Sequence, residues 1–314
     1  MTTPRITIIT ITRNAGNTLE KTIQSVIAQQ YSNLEYIIID GASSDNTLDI
    51  INQYSSHITY WHSKPDKGAN DAYNIAIQLV TGDIVAILNG DDWYEPNTLK
   101  AIANAFIENP TADMFTCGGR IVSYDAKNQS YIPQLIYADA EKLKLTFKNI
   151  CFGASVICCR FFRKPLLDKL EGFLTMDKHG KHMFSADKEL LMRAVLLDAK
   201  DVYVDYLGHN YLAHEGSSTF GNNRNNIIKL CQEHMEIAEA LLAGENISYD
   251  QRATLKSWYY DQALRLTAYQ LLEKNLGAAF KIIQQAFSKS PIQWLAALLT
   301  TPCRVIAKRA SDSR

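Results

Sequence analysis

The amino-acid sequence predicts an α/β protein with a doubly wound, mainly parallel sheet, followed by a C-terminal helical extension. Short apolar runs rich in β-branched residues alternate with amphipathic segments through the first hundred residues. Strands that are apolar along their whole length are typical of parallel sheets covered by helices on both faces. From about residue 222 the pattern is helical to the end, so we place a domain boundary near residue 221, between domains 1–221 and 222–314.

The predicted elements follow one another in strand–helix order. Four strands are expected at residues 5–11, 34–39, 58–62 and 83–88, and the helices between them at 18–29, 47–54 and 69–80. The regular order then loosens, with strands expected at 112–119, 120–124, 154–159 and 202–206 and a helix at 185–197. Helix-breaking residues at 275–277, 291 and 302 divide the extension into four helices.

Composition and charge narrow the classes of function. The 314 residues are 46% apolar and 21% charged, as in an ordinary globular protein, and a net charge of −1 gives no attraction to nucleic acid. Six cysteines lack the spacing of a zinc site or a disulfide framework, so we interpret them as small hydrophobic residues in a reducing compartment. The sequence shows neither a signal-peptide pattern nor an apolar run of about 18 residues, which predicts a cytoplasmic protein.

Polar residues follow each of the first four predicted strands, at the edge where open parallel sheets bind ligands. They are Thr12, Arg13 and Asn14, then Asp40, then residues 64–68, and finally Asp91 and Asp92. The loop after the first strand contains neither GxGxxG nor GxxxxGK[ST], which disfavours a dinucleotide-binding dehydrogenase and a P-loop NTPase. Adjacent carboxylates can hold Mn²⁺ or Mg²⁺ together with phosphate oxygens, although the pair also suits a turn before a helix.

Two segments carry a resemblance to a known family. ITIITITRNAGNTLEKTIQSVIAQQYSNLEYIIIDGASSDNT and KPDKGANDAYNIAIQLVTGDIVAILNGDDWY resemble glycosyltransferase family 2, in its bacterial polysaccharide-building branch. The similarity covers about residues 5–220. It implies the Rossmann-like GT-A fold, with a nucleotide-sugar half to about residue 120 and an acceptor half over 121–221. It also implies a nucleotide-diphosphate sugar donor of the UDP or GDP type and inversion at the anomeric carbon.

The resemblance implies roles for the residues of the first half. Thr12, Arg13 and Asn14 would line the nucleobase pocket, and Asp40 would hydrogen-bond the base. Asp91 would face the ribose, whereas Asp92 would bind the Mn²⁺ or Mg²⁺ that bridges the two phosphates. The family's commoner Asp-Asp-Gly-Ser pattern is replaced here by Asp-Gly-Ala-Ser at residues 40–43, which leaves the selectivity for the base open.

Further candidates have two readings each. Lys67, in the same matched block as Asp71, either approaches a phosphate or sugar hydroxyl or is a solvated loop lysine. Asp187 falls where the family carries the base that deprotonates the acceptor, but it also suits the capping of a helix. His214 falls where some members place a histidine near the metal, and its alternative is a structural role. Residues 179 and 182 are histidines of an expected acceptor-facing loop.

The final segment offers two kinds of contact. Its apolar residues precede clustered cations, namely Trp294, Leu295, Leu298 and Leu299 before Arg304, Lys308 and Arg309. This order fits a helix lying in the interface of an anionic membrane, which would bring the protein to the inner face of that membrane. It fits equally a helix packed on the catalytic domain or on a second subunit.

The expected activity is metal-dependent, inverting transfer of a hexosyl or N-acetylhexosaminyl group to a hydroxyl of a glycan or lipid-linked acceptor, in surface polysaccharide or lipopolysaccharide biosynthesis. A nucleotidyltransferase is the enzymatic alternative, but it would carry a glycine- and arginine-rich loop after the first strand. A non-catalytic sugar-nucleotide-binding or scaffold protein is the other alternative. The presence of Asp40, Asp91, Asp92 and Asp187 argues against it.

Overall fold

The computed structural model describes residues 3–214 and 224–300, and residue 300 is described by its backbone alone. The chain divides into two compact units, residues 1–221 and 222–314. The division falls within residues 215–223, which lie outside the described part of the chain.

The first unit contains a mixed sheet with helices packed on it. Within the described residues its strands are β1 (Ile6–Thr12), β2 (Leu34–Asp40), β3 (Tyr60–Ser63), β4 (Ile84–Ile87), β5 (Trp93–Tyr94), β6 (Met114–Asp125), β7 (Ser130–Tyr137), β8 (Arg160–Arg163) and β9 (Asp201–Leu212). Its helices are α1 (Leu19–Ile27), α2 (Thr47–Gln53), α3 (Ala69–Ile77), α4 (Thr98–Glu108), α5 (Ala140–Leu143), α6 (Phe147–Phe152), α7 (Lys164–Leu170) and α8 (Ala186–Leu196). The strand order is β3-β2-β1-β4-β8-β6-β9-β5, and β7 pairs with β6.

The parallel half of the sheet matches the sequence prediction. Strands β3, β2, β1 and β4 are parallel neighbours, and the helices α1, α2 and α3 connect them. The register places Thr12 opposite Asp40 and Asp40 opposite Ser63, so the carboxyl ends of three strands meet at one edge. This convergence places the polar loops after the strands side by side.

The second half differs from the prediction in three places. A single strand, β6, replaces the two strands expected over residues 112–124, and the hairpin strand β7 was not predicted. The strand expected at 154–159 is wrong, because a 3₁₀ turn (Ile157–Cys159) occupies its end and Val156 is left-handed, with φ of 43°. Strand β8 begins only at Arg160, and β9 extends six residues beyond the predicted end at residue 206.

The buried guanidinium of Arg160 joins the strands of this half. It donates to Asp201 Oδ2 at 3.1 Å, to Thr116 Oγ1 at 2.8 Å and to the backbone oxygens of Leu143 and Ser155. A buried charge is stable in the protein interior only while the partners that hydrogen-bond it remain in place. Arg160 therefore ties β6, β8 and β9 to the loop before β8.

The second unit is helical in its described part. Its helices are α9 (Arg224–Leu242), α10 (Tyr249–Leu272), α11 (Leu276–Lys289) and α12 (Pro291–Thr300). Helix α10 contacts the other three and begins with a capping box between Ser248 and Gln251. Trp294 is buried, which fits the packed-helix alternative for this residue, and the expected contacts of Arg304, Lys308 and Arg309 lie outside the described residues. Among the described helices, none combines the length and the apolar character needed to cross a membrane.

Five of the six cysteines can be assessed. Cys117, Cys151, Cys158, Cys159 and Cys231 are free thiols in buried positions, whereas Cys303 lies outside the described residues. Burial raises the pKa of the Cys151 and Cys231 thiols to about 12, so both are protonated at neutral pH. Their environment is that of small hydrophobic side chains.

The buried carboxylate of Glu35 holds the amino-terminal ends of β1 and β2 to the loop before β4. It accepts hydrogen bonds from Thr7 Oγ1 and Thr81 Oγ1, both at 2.6 Å, from Thr81 N at 2.8 Å and from Arg5 at 3.1 Å. Burial alone would raise the pKa of Glu35, but these hydrogen bonds outweigh it and the pKa lies below its ordinary value of 4.5.

We predict that Glu35→Gln lowers the free energy of unfolding at pH 7 by about 1–3 kcal/mol, measured by urea denaturation. Because the folded-state pKa is depressed, the stability from this carboxylate is present above the unfolded pKa and lost as the pH falls through the folded value. The difference between the two proteins should therefore narrow below about pH 4.5. Glu108→Gln, on an exposed helix end, is the control, and a difference that stays constant down to pH 3 would contradict the prediction.

Candidate active site

A cavity of about 610 Å³ opens at the carboxyl edge of the parallel strands. Its walls come from the loops after β1, β3 and β4, the start of α3 and the end of β9. The polar side chains that line it are Thr12, Arg13, Asn14, Asn17, Thr18, Asp66, Tyr73, Asn89, Asp91, Tyr211 and His214. Its volume lies in the range of small-molecule and cofactor sites.

Hydrogen bonds between the loop after β1 and the loop after β2 fix the backbone at Asn14. Asn14 is left-handed, with φ of 51°, and its Oδ1 accepts from Ser44 N at 2.9 Å while its own N donates to Ser43 Oγ at 2.7 Å. Asparagine tolerates this backbone conformation better than most residues. Thr12, Arg13 and Asn14, predicted to line a binding pocket, all line this cavity.

Asp40 differs from its expected position. Its carboxylate is fully buried and accepts from Ser43 N, Ser43 Oγ and Ser63 Oγ at 2.5–2.9 Å, and it does not line the cavity. Three donors leave this carboxylate little capacity for a nucleobase, so in the structure it shapes the loop. Asp66, which the sequence predicted only as one of the polar residues 64–68 without a role of its own, lines the cavity instead and lies so close to Gly41 that a Cβ there would meet it at 2.8 Å.

Lys67 and Asp71 belong to the turn that starts α3. The backbone N of Lys67 donates to Asp71 Oδ2 at 3.0 Å, and an acid in the first turn of a helix is favourable near its N-terminus. The Lys67 side chain is exposed, and neither residue lines the cavity. Their geometry favours the reading of a structural turn over that of a phosphate contact.

Asp91 and His214 form a polar pair on the cavity wall. His214 Nε2 lies 3.0 Å from Asp91 Oδ2, although the two residues are 123 positions apart. Their side chains are 29% and 42% exposed for Asp91 and His214, so both are accessible to a ligand. Burial and the nearby charge of Asp92 raise the pKa of Asp91, against the lowering effect of His214. A cation beside this carboxylate would relieve that cost.

Asp92, which the family resemblance implied as the metal ligand, is buried and does not line the cavity. Its exposure is 0%, with Oδ2 3.2 Å from His209 Nε2 and Oδ1 accepting from Leu212 N at 3.1 Å. Both carboxylate oxygens therefore already have partners on β9. Asp91 lies in a turn in which Asp92 N donates to Asn89 O at 3.1 Å, and the two adjacent acids face different surroundings.

His209 extends this contact into a buried chain. Its Nδ1 lies 2.9 Å from the hydroxyl of Tyr137 on β7. Because an ionised Asp92 can only accept, we assign Nε2 of His209 as the protonated nitrogen and Nδ1 as the acceptor from Tyr137. The chain Asp92–His209–Tyr137 links the loop after β4 to β9 and β7.

One further cluster in the described residues has the donor types of a metal site. One ligand atom each from Asp92, Cys158 and His209 lies within 4.8 Å of the others, and all three residues are buried. Burial keeps the Cys158 thiol protonated by raising its pKa, and Mn²⁺ and Mg²⁺ prefer oxygen ligands. Asp91 with His214 suits such a cation better, because that pair borders a cavity large enough for a diphosphate and water.

Asp187 lies in the first turn of α8, after the N-cap residue Ser185. Its Oδ2 accepts from Ser155 Oγ and its Oδ1 from Lys188 N at 2.7 Å. The Lys188 ammonium is held by the backbone oxygens of Ile150 and Gly153, and burial lowers its pKa. The carboxylate of Asp187 is therefore held in one orientation by its neighbours.

Tyr73 lies within electrostatic range of Asp187 and of the acids of the cavity, although Asp187 itself does not line the cavity. Its buried hydroxyl donates to Asn89 Oδ1 at 2.5 Å, and its pKa is raised by burial first and then by Cys158, Asp92, Asp91 and Asp187. Tyr73 and Asn89 line the cavity, although the sequence assigned neither of them a binding role. Asn89 is among the polar residues that follow the fourth predicted strand, so that rule finds it, whereas Tyr73 lies inside a helical pattern with no distinguishing signal.

The loop between α7 and α8 approaches the cavity at Gly68. Asn70 Nδ2 donates to the backbone oxygens of Met183 and Leu174, which holds this loop to the start of α3. Gly68 has φ of 111°, and a Cβ there would meet the His182 ring at 2.8 Å. His182 thus lies beside a cavity residue, whereas His179 belongs to the turn closed by Asp177.

Comparison with known proteins identifies the class. The family model "Glycosyl transferase family 2" matches residues 7–171, more than half of the chain. The chain therefore belongs to glycosyltransferase family 2 and is a transferase enzyme.

Two curated relatives are similar to part of this chain. A Mycobacterium tuberculosis glycosyltransferase, Rv1514c, is 28% identical over 200 residues, 62% of this chain and 70% of that protein. TuaG of Bacillus subtilis, named as a teichuronic acid biosynthesis glycosyltransferase, is 33% identical over 118 residues, 36% of this chain and 46% of that protein. The relatives thus include a protein named for polysaccharide biosynthesis.

Solved structures show the same GT-A fold. S. aureus TarS 1-349 in complex with UDP-GlcNAc has a TM-score of 0.61 at 20% identity, over 96% of this chain and 83% of that one. The mannosyltransferase PcManGT from Pyrobaculum calidifontis, in complex with GDP-Man and Mn²⁺, has a TM-score of 0.59 at 17% identity, over 96% and 88%. The expected fold class is confirmed.

The two adjacent acids should respond differently to truncation. We predict that Asp92→Ala lowers the free energy of unfolding by about 3 kcal/mol, because it leaves His209 Nε2 and Leu212 N buried without an acceptor. Asp91→Ala, which removes a partly exposed pair, should change it by less than about 1 kcal/mol. Urea denaturation of the two variants measures this, and equal losses would show that Asp92 has no structural role.

Proposed function

We propose that this family 2 enzyme transfers a sugar, with inversion and with a divalent cation, from a UDP- or GDP-sugar to a hydroxyl of a glycan or lipid-linked acceptor. The observation that carries the proposal is the Asp91–His214 pair on the wall of the 610 Å³ cavity, where both side chains are partly exposed. A hexose or N-acetylhexosamine is the transferred group we propose.

The donor would bind along the loops after β1 and β4. Thr12, Arg13 and Asn14 would surround the nucleoside, with Arg13 supplying positive charge toward it or its phosphates. Asp66, which lines the same cavity, replaces Asp40 in our assignment as the acid accessible to the nucleoside. Asp40 would act indirectly by holding the loop that supports Asn14 through Ser43.

Asp91 and His214 would hold the cation, and Asp92 would position both. When bound, Mn²⁺ or Mg²⁺ would neutralise the diphosphate as it leaves. An imidazole ligand favours Mn²⁺ over Mg²⁺, and PcManGT was solved with Mn²⁺. Asp92 would contribute through its bonds to His209 and Leu212, which precede His214 on the same segment.

Asp187 would be the base of the transfer. An inverting displacement needs a carboxylate that takes the proton of the acceptor hydroxyl as its oxygen attacks the anomeric carbon, opposite the leaving diphosphate. The bonds from Ser155 Oγ and Lys188 N restrain the Asp187 carboxylate, which reduces the reorganisation needed in that step. The loop over residues 174–184, joined to α3 through Asn70, would form part of the acceptor side.

The acceptor we propose belongs to surface polysaccharide or lipopolysaccharide biosynthesis at the cytoplasmic face of a membrane. TuaG supports this, because its name places it in teichuronic acid biosynthesis. A scaffold protein that binds the sugar nucleotide without reaction would use the same cavity. Substitution of Asp187 would leave the function of such a scaffold protein unchanged, because no group is transferred.

Metal-dependent donor binding should depend on Asp91. We predict that Asp91→Asn weakens binding of UDP or GDP by at least about tenfold in Mn²⁺ and has little effect in EDTA, because only the cation-mediated part is lost. Titration calorimetry in both buffers measures it. Asp168→Asn, an exposed acid on α7, is the control. An unchanged affinity difference between Mn²⁺ and EDTA would exclude Asp91 as the metal ligand.

Asp187 should be needed for transfer but not for donor binding. We predict that Asp187→Asn keeps nucleotide affinity and the folded structure while transfer slows by about 10²–10⁴-fold. Ser185 is the N-cap of α8, and the amide oxygen of an asparagine can still accept the hydrogen bond from Lys188 N or Ser155 Oγ. Single-turnover transfer is measured with the nucleotide sugar that most stabilises the wild-type protein against heat. A variant that keeps a tenth or more of the wild-type rate would remove Asp187 as the base.

A further inference from the structure

Helices α11 and α12 each expose a stripe of large apolar side chains. We define their apolar surface as Leu276, Phe280, Phe287, Ile292, Leu295 and Leu299, of which Ile292 and Leu299 are 81% and 89% exposed. The buried positions of the same helices are Ala279, Ala286, Trp294 and Ala297. Contiguous exposed apolar patches are typical of sites that bind another protein or a membrane.

The spacing puts each group of three on one side of its helix. Residues 276, 280 and 287 are separated by four and seven positions, and residues 292, 295 and 299 by three and four. The buried alanines and Trp294 face inward, whereas the six large side chains of the apolar surface face solvent. An ordinary surface helix buries most of its large apolar residues, so six exposed ones on two short helices are unusual.

Positive charge is concentrated in the same part of the chain. Seven of the 32 basic residues but only one of the 33 acidic residues lie from Lys274 onward. Lys281 is an exposed cation on α11, and the sequence after α12 adds Arg304, Lys308 and Arg309, whose placement lies outside the described residues. Apolar residues next to cations on otherwise acidic protein match an anionic lipid surface, which attracts basic residues and takes up apolar ones.

The length of the helices decides how they can meet a bilayer. Helix α12 has 10 residues, which corresponds to about 15 Å, half the thickness of a hydrocarbon core of about 30 Å. It carries no charged residue. A short uncharged helix can enter the interface in the plane of the membrane but cannot cross it.

We propose that the apolar surface of α11 and α12 binds the surface of a membrane rich in anionic lipids, with both helices lying in the interface. The apolar side chains enter the boundary between headgroups and acyl chains, and exposed basic side chains of the described helices, such as Lys281, contact the headgroups. The proposal rests on the proposed function only for the role of membrane binding, which is to keep the enzyme at the membrane that holds a lipid-linked acceptor. Membrane binding itself requires neither donor nor acceptor.

The wild-type protein provides the first test. The full chain is sedimented with vesicles of phosphatidylcholine, with and without about 30% phosphatidylglycerol. We expect binding to the anionic vesicles, weak binding to the neutral ones, and a loss of binding as salt rises from about 0.1 to 1 M. Equal binding to both vesicles, or binding to neither, would overturn the proposal whatever the variants do.

Paired substitutions test the surface itself. Leu295→Ser with Leu299→Ser, and separately Phe280→Ser with Phe287→Ser, should each lower the vesicle partition coefficient by about tenfold or more. Leu197→Ser with Leu271→Ser is the matched control, since it removes two leucines about half exposed elsewhere, and it should bind like wild type. The melting temperature and Mn²⁺-dependent nucleotide binding of all three should stay at wild-type values, which separates this test from that of the proposed function.

Sedimentation velocity without vesicles distinguishes the other occupants of this surface. A wild-type dimer that both paired variants convert to monomer, without vesicle binding, would assign the surface to a second copy of the chain and overturn the proposal. A fall in melting temperature in both pairs, with vesicle binding unchanged, would assign it to packing within the chain and would also overturn it. A monomer that binds anionic vesicles only through intact pairs supports it.

Discussion

Two hydrogen bonds from β9 to the buried carboxylate of Asp92 organise the cavity. His209 Nε2 and Leu212 N reach this carboxylate from a strand more than 115 positions further along the chain. Asp91, its neighbour, is thereby turned toward the cavity, and His214, two residues after Leu212, comes within 3.0 Å of Asp91. A buried carboxylate is stable only when such donors compensate its loss of hydration, so the position of the cavity wall follows from satisfying this one group.

The second half of the site depends on a different buried charge. Arg160, held by Asp201 and Thr116, also donates to the backbone oxygen of Ser155. The hydroxyl of Ser155 in turn donates to Asp187. The restraint on Asp187 therefore extends through Ser155 to the strands β6, β8 and β9, which is a rigid support for a group that has to meet an acceptor at a defined distance.

The helical unit distributes its apolar residues differently from the sheet unit. In the sheet unit the isoleucines of β2 and β4, and those of β1 other than Ile11, are buried almost completely. In α11 and α12 six large apolar residues are exposed, whereas Ala279, Ala286, Trp294 and Ala297 are buried. A sequence pattern of period 3.6 identifies α11 and α12 as amphipathic or apolar helices, but it does not show which side of each helix meets the rest of the protein.

The sequence by itself determined the parallel half of the fold, the polar strand ends and the family, because continuous apolar runs and the loops after them are local signals. It predicted the positions of Thr12, Arg13, Asn14, Asp91 and His214 on the cavity. Only the tertiary structure decided that Asp92 and Asp40 are buried, that β8 begins at Arg160, and that Trp294 faces inward. The burial of Asp92 and the position of Arg160 depend on partners far along the chain, His209 and Asp201, and a hydrogen bond between distant residues leaves no periodic trace in the sequence.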